Sequence, residues 1–128
     1  MRIALGFHDV VEDEAPVRPI AAGHTTLYTL ARSRLREHLR AIRERAGSPP
    51  NVILTFDDGT AGSYTCAAEE LERLGWAGHF FIVTDWIGRP GFLDAGQIRD
   101  LHRRGHIVGS HSCSHPLDMT RMEWNELV

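Results

Sequence analysis

The 128-residue chain has the length of one domain, and its 42% hydrophobic and 24% charged content, with 12 Gly and 6 Pro, excludes collagen-like, low-complexity and disordered classes. A formal net charge of -3 gives no general attraction to nucleic acid. Two cysteines, Cys66 and Cys113, are too few for a disulfide framework, no apolar run approaches the ~20 residues of a membrane span, and "MRIALGFHDV" turns polar too soon for a signal peptide, so a cytoplasmic location is expected.

In chain order, the apolar run "RIALGF" (2–7) predicts a strand, followed directly by His8 and Asp9. Residues 12–26, with Pro16, Pro19 and Gly23, read as a long surface loop. Leu35, Leu39, Ile42 and Ala46 then fall at spacings of three and four and predict a helix, closed by "SPPN" (48–51). All 14 basic residues are arginines. Six of them, Arg32, Arg34, Arg36, Arg40, Arg43 and Arg45, lie on this segment with Glu37 and Glu44, and read as a solvated helix face rather than an anion-binding patch.

"NVILTF" (51–56) predicts a second strand, ending at Asp57 and Asp58. Tyr64, Ala67, Ala68, Leu71 and Leu74 make the apolar stripe of a second helix, which Gly75 ends. "HFFIVT" (79–84) is a third strand, with Asp85 and Trp86 after it. Asp94 and Gln97 have the spacing of a capping box, Leu93 and Ile98 that of a hydrophobic staple, and Gly105 closes this third helix. "HIVGS" (106–110) is the fourth strand and leads into "HSCSHP" (111–116). A second box at Thr120 and Glu123, flanked by Met119 and Trp124, predicts one more helix starting there.

Strands alternating with helices through short connections indicate an α/β fold with a parallel sheet or a (β/α) barrel. Four strands are too few to close a barrel, and a final helix of about two turns is marginal. The expectation is therefore an incomplete barrel, with 1–128 the front part of a longer domain.

In α/β barrels functional side chains gather where strands hand over to the following loops. Taken as one helical turn, His111 and His115 bring two imidazoles to the same side, with Cys113 pointing away; solvent-facing histidines before a proline turn are the alternative. Asp57-Asp58-Gly59 by itself also fits an ordinary turn into a helix. Together the segments offer two histidines and a carboxylate, the ligand count of a catalytic cation site that keeps a position open. The remaining carboxylate is then available as a base for water, and a bound cation offsets the repulsion between the two aspartates.

"LTFDDGT" and "GSHSCSHP", with the spacer between them and the opening "GFHDV", resemble the first two motifs of the NodB-type polysaccharide deacetylases, carbohydrate esterase family 4. The resemblance runs over essentially all of residues 1–128 as the amino-terminal portion of that domain. It implies a distorted (β/α) barrel and a metal-dependent hydrolase that removes N- or O-linked acetyl groups from a polysaccharide or oligosaccharide. By position, it makes Asp57 the catalytic base and Asp58, His111 and His115 ligands of a divalent cation, commonly Zn2+. The family's later motifs, an arginine with a nearby aromatic and a late acid histidine, are not recognisable here. His8, with Asp9, is the best stand-in on the expected active face, although a structural strand-end histidine bonded to its neighbour is the safer reading. His79, His102 and His106 are read as structural. Trp86, which follows a strand, joins His8 and Asp9 as a substrate-face residue. A carbohydrate is the expected partner. A non-catalytic metal- or sugar-binding fragment, and a hydrolase of small non-sugar amides, fit the same residues.

Overall fold

The computed structural model describes residues 3–17, 26–46 and 51–127. Four strands, β1 (Ile3–Phe7), β4 (Val52–Phe56), β5 (His79–Ile82) and β6 (Ile107–Ser110), form one parallel sheet in the order β1-β4-β5-β6. Two-residue strands β2 (Val10–Val11) and β3 (Leu30–Ala31) pair with each other in parallel. The helices are α1 (Arg32–Ala46), α2 (Glu69–Glu72), α3 (Ala95–Arg103) and α4 (Trp124–Leu127). This is the expected α/β alternation with parallel strands, and among the described residues the sheet stays open, with β1 and β6 at its edges. No helix among the described residues is long and apolar enough to cross a membrane.

Sheet register is fixed by an aromatic row. Phe7 pairs with Phe56 and Phe56 with Phe80, so three rings lie side by side across adjacent strands. Their centroids are 5.3 and 5.1 Å apart at 19° and 15°, and Phe56 and Phe80 are fully buried. A slip of one residue would turn the whole row to the other face. Leu35 and Leu39 of α1 and Leu71 of α2 join the same core, in agreement with their apolar stripes, as does Leu101 of α3. Gly62 lets the following helix approach β2 closely: a Cβ there would lie 1.9 Å from the Val10 carbonyl oxygen.

The predicted stop signals are used as such. Gly75 (φ 69°) follows α2, with its N–H on the Glu72 carbonyl and the Trp76 N–H on that of Leu71. Gly105 (φ 93°) closes α3 in the same way, with bonds to His102 and, from His106, to Leu101. Both are Schellman closures, which need the left-handed conformation that glycine adopts without a Cβ penalty. At the start of α3 the Asp94–Gln97 capping box is complete, with bonds of 2.8 and 2.9 Å.

Several expectations are corrected. The second helix is α-helical only over Glu69–Glu72, because Ser63–Ala68 is a π-helical turn. Residues 12–17 carry neither helix nor strand, as the loop reading expects, with β2 and β3 on either side of the segment; residues 18–25 lie outside the described residues, as do 48–50 of "SPPN". The Thr120 cap is displaced: Asp118 accepts the Thr120 N–H at 3.0 Å, residues 119–121 form a 3₁₀ turn, and α4 starts at Trp124. Asp118 wins because its side chain reaches the amide two residues on, an Asx-type turn.

The arginine segment is not wholly a solvated face. Arg32 is 7% exposed and donates to Glu70, Glu12 and Glu69, each at 2.6 Å. Glu70, itself 5% exposed, also accepts two bonds of 2.9 Å from Arg36 and one of 2.8 Å from Arg73, so it ties α1 to α2. Arg104 continues the belt to α3's end, with both its Nε and Nη2 on Glu72. Buried His106 accepts the Gly78 N–H at Nδ1, which puts its proton on Nε2, facing Glu72 at 3.0 Å.

Burial pushes the Glu70 carboxyl up, but the hydrogen bonds from Arg36 and Arg32 outweigh it and hold the group below its ordinary value. A depressed folded-state value contributes stability that is complete above the unfolded value and lost as pH falls through the folded one. Glu70→Gln is therefore expected to destabilise the chain at neutral pH by about 1–3 kcal/mol. It should also flatten the loss of stability below about pH 4.3; urea midpoints measured across that range check both effects.

Candidate metal centre

Two strand ends build the site. At the end of β4 the Asp57 N–H still donates to the Phe7 carbonyl at 2.9 Å, so Asp57 continues the ladder with β1. The next residues reverse direction: Asp58 and Gly59 both have φ of 74°. The turn is pinned from outside, because Leu93 N–H donates to the Gly59 carbonyl (2.9 Å) and Ala61 N–H to that of Gly91 (2.8 Å). Ser63 then bonds back to Thr60 through both its N–H and its hydroxyl and starts the helix. As a result Asp58 is 4% exposed, whereas Asp57 is half-buried and its carboxylate makes no hydrogen bond among the described residues.

The second half follows β6. His111 N–H donates to the Ile82 carbonyl at 2.8 Å and extends the β5–β6 pairing by one residue. The backbone then leaves the sheet, with Ser112 at φ 63° and His115 at φ 55°. Thr84 and Asp85 N–H hold the loop at the Ser112 and Cys113 carbonyls, and the Ser112 hydroxyl accepts the His115 N–H at 3.0 Å. The two imidazoles meet, with centroids 5.3 Å apart, but not on a helical turn as expected. Two left-handed residues make the approach instead. Cys113 is exposed.

Asp58 Oδ1 lies 3.6 Å from His111 Nε2 and 3.4 Å from His115 Nε2, and the three residues' donor atoms all fall within 4.8 Å of one another. Those separations exceed an N–H···O hydrogen bond. Asp58 Oδ1 is buried without a hydrogen-bond partner among the described residues. Such an orphaned acceptor costs about 1–3 kcal/mol or more when charged. Ligand arms of ~2.1 Å in a tetrahedron give edges of roughly 3.4 Å, so the two Asp–His separations have the size of a zinc-type coordination edge. The donor set of one carboxylate oxygen and two imidazole nitrogens fits a divalent cation.

Around this centre, Trp86 is 8% exposed and packs against His115 (5.2 Å) and Phe92 (4.7 Å), so it backs the His115 ring rather than standing in solvent. His8 is half-buried and stacks on Tyr28 at 4.8 Å, beside the β4 end that carries Asp57. Asp9 is buried, and its backbone carbonyl accepts the Leu30 N–H between β2 and β3. His79 opens β5, and His102 lies exposed on α3, away from the site. Sequence reasoning missed Ser112, although a serine within "HSCSH" carries the signal of a side-chain-to-backbone turn.

If the orphaned carboxylate is what destabilises this corner, Asp58→Asn should raise stability in chelator by about 1 kcal/mol. The amide can donate to an imidazole nitrogen, and asparagine tolerates positive φ. Urea unfolding with and without chelator measures it, and the same substitution should remove any stabilisation by added Zn2+.

The polysaccharide deacetylase family model matches residues 44–127. The putative polysaccharide deacetylase YxkH of Bacillus subtilis (strain 168) is 27% identical over 77 residues, 60% of this chain and 28% of that protein. IcaB from Ammonifex degensii has a similar structure with TM-score 0.64 and 24% identity, covering 86% of this chain and 52% of that one. The putative polysaccharide deacetylase BA0330 from Bacillus anthracis gives TM-score 0.75 at 14% identity, covering 98% and 43%. The Streptococcus pyogenes deacetylase PplD, solved in complex with acetate, gives 0.72 at 19%, covering 94% and 60%. The chain thus spans from about a quarter to three fifths of these relatives' lengths. With most of its length matched by the family model and both strand-end motifs inside that match, the chain belongs to the polysaccharide deacetylase family.

Proposed function

We propose that this chain carries the metal and base residues of a carbohydrate deacetylase, a hydrolase of N- or O-acetyl groups on a polysaccharide or oligosaccharide. The observation that carries the reading is the buried, partnerless Asp58 Oδ1 facing His111 and His115 at 3.6 and 3.4 Å in a chain of this family. Asp58, His111 and His115 would hold a divalent cation, with Zn2+ the best match to a nitrogen-rich set. When bound, such a cation supplies Lewis acidity for an acyl carbonyl and for water.

The protein's own groups divide the remaining work. Asp58 is committed to the two imidazoles and is buried, so it is unsuited to exchange protons with substrate. Asp57, half-buried and without a hydrogen bond on its carboxylate, is free to accept a proton from the attacking water. Trp86 keeps the His115 ring in place from one side. His8, at the end of β1 next to Asp57's strand, is assigned to the substrate face, whereas buried Asp9, whose carboxylate lies against Gly62, is assigned a supporting role. The acetate held by the Streptococcus pyogenes deacetylase of this fold is consistent with an acetyl substrate here.

The expected outcome is one Zn2+ per chain by elemental analysis and release of acetate from N-acetylglucosamine oligomers or an acetyl ester. Asp57→Asn should keep the metal while lowering the rate by ~10²- to 10⁴-fold, whereas Asp58→Ala should lose the metal. A chain that binds no divalent ion, or an Asp57→Asn variant as fast as the parent, would defeat the proposal.

A further inference from the structure

A second polar site lies away from the strand ends. A groove of about 200 Å³ between α1 and the end of α2 is lined by Arg36, Arg40, Arg43 and Arg73, with Leu39 and Leu74 and a single acid, Glu70. Four guanidiniums against one carboxylate make this a positive site on a chain whose formal net charge is -3.

The one acid is already spent. Glu70 Oε1 accepts from Arg32, Arg36 and Arg73, and Oε2 from Arg36, four donors for the roughly four lone-pair sites of a carboxylate. Arg32 is in turn shared with Glu12 and Glu69. Arg36 and Arg73 therefore keep unused N–H groups. Arg40 and Arg43 make no hydrogen bond or ion pair among the described residues. Glu44, four residues after Arg40, neither lines the groove nor pairs with it.

The charges of Arg40 and Arg43 are not offset by an ion pair with the acid that lines the groove. Arg36, Arg40 and Arg43 repeat at four and three residues, the spacing at which like charges on a helix repel. The dipole at the end of α1 favours Arg43 and Arg45, but that effect fades within the last turn and does not reach Arg36 or Arg40. The four cations that line the groove are arginines, whose planar fork matches a tetrahedral oxyanion in a bidentate way. The groove is smaller than the ~300 Å³ or more of drug-sized ligands, and suits one compact, multiply charged group.

We propose that the α1–α2 groove binds a phosphate-type oxyanion, most readily a diphosphate group, through Arg36, Arg40, Arg43 and Arg73. The site is independent of the deacetylase reading, since it shares no residue with Asp57, Asp58, His111 or His115.

Calorimetric titration of the full chain with sodium pyrophosphate tests it. Saturable one-to-one binding is expected, weakening as salt rises from about 0.01 M to about 0.3 M. The double variant Arg40→Gln/Arg43→Gln, altered only at exposed positions, should bind at least about tenfold more weakly with an unchanged circular dichroism spectrum. Asp58→Ala should bind pyrophosphate like the parent, which separates this groove from capture by a metal at the other site. Vesicles of phosphatidylglycerol in place of pyrophosphate distinguish a lipid headgroup from a soluble anion, and capture of either that is lost in the double variant supports the site. No saturable binding of either probe, binding unchanged in the double variant, or binding abolished by Asp58→Ala overturns it.

Discussion

Three metal-type ligand atoms converge at one corner, where buried Asp58 Oδ1 faces the Nε2 atoms of half-buried His111 and His115 at 3.6 and 3.4 Å without a hydrogen-bond partner among the described residues. Leaving that buried carboxylate oxygen without a hydrogen bond is costly. The backbone bears a cost there as well: Asp58, Ser112 and His115 are the non-glycine residues with positive φ among the described residues, and all three belong to this corner. Conformations of this kind cost of order 1–3 kcal/mol each and persist only where the surroundings over-determine them. Strain and an unpaired buried oxygen in one place are what the proposed cation site rests on.

What over-determines the corner is the sheet. The stacked Phe7, Phe56 and Phe80 rings fix which residues of β1, β4 and β5 are level, and the β5–β6 register of Ile82 with Ser110 fixes the fourth strand. With strand ends set, short backbone bonds finish the placement: His111 N–H to Ile82, Thr84 N–H to Ser112, Leu93 N–H to Gly59. None of these bonds uses the side chains of Asp57, Asp58, His111 or His115. Outside the sheet, the carboxylates of Glu70 and Glu72 link the helices to one another through Arg32, Arg36 and Arg104. Stability and site are thus carried by different residues, which lets the corner be unfavourable in itself.

The parts legible in the sequence were those with local physics behind them. Apolar runs marked the four long strands, spacing of three and four marked the core faces of the helices, and Asp94, Gly75 and Gly105 marked helix ends through chemistry confined to a few residues. The site residues were legible because ligand-type side chains followed two apolar runs. What escaped had non-local causes. Two-residue strands such as Val10–Val11 and Leu30–Ala31 are too short to show a period. Arg32 looks like any surface arginine until α2 brings Glu69 and Glu70 to it. The way His111 and His115 meet depends on Thr84 and Asp85, some 27 residues earlier, holding the loop in left-handed turns.

The adjacent aspartates of "DDGT" also find a physical account in the backbone. Asp57 keeps the extended course of β4, with its N–H on Phe7, while Asp58 turns left-handed. Neighbouring residues in such different conformations send their carboxylates into different surroundings, one buried at 4% exposure and the other half-buried and free of hydrogen bonds. In the proposed mechanism that divergence is the requirement, because a ligand must be fixed and shielded and a base must be open to solvent. Inserting a residue between the pair would move Asp58 off the turn held by Leu93, and an alanine in place of Gly59 would set its Cβ 3.0 Å from Ile82 at φ 74°. The tight spacing is therefore the consequence of one chain reversal that separates two like charges in space while they remain adjacent in sequence.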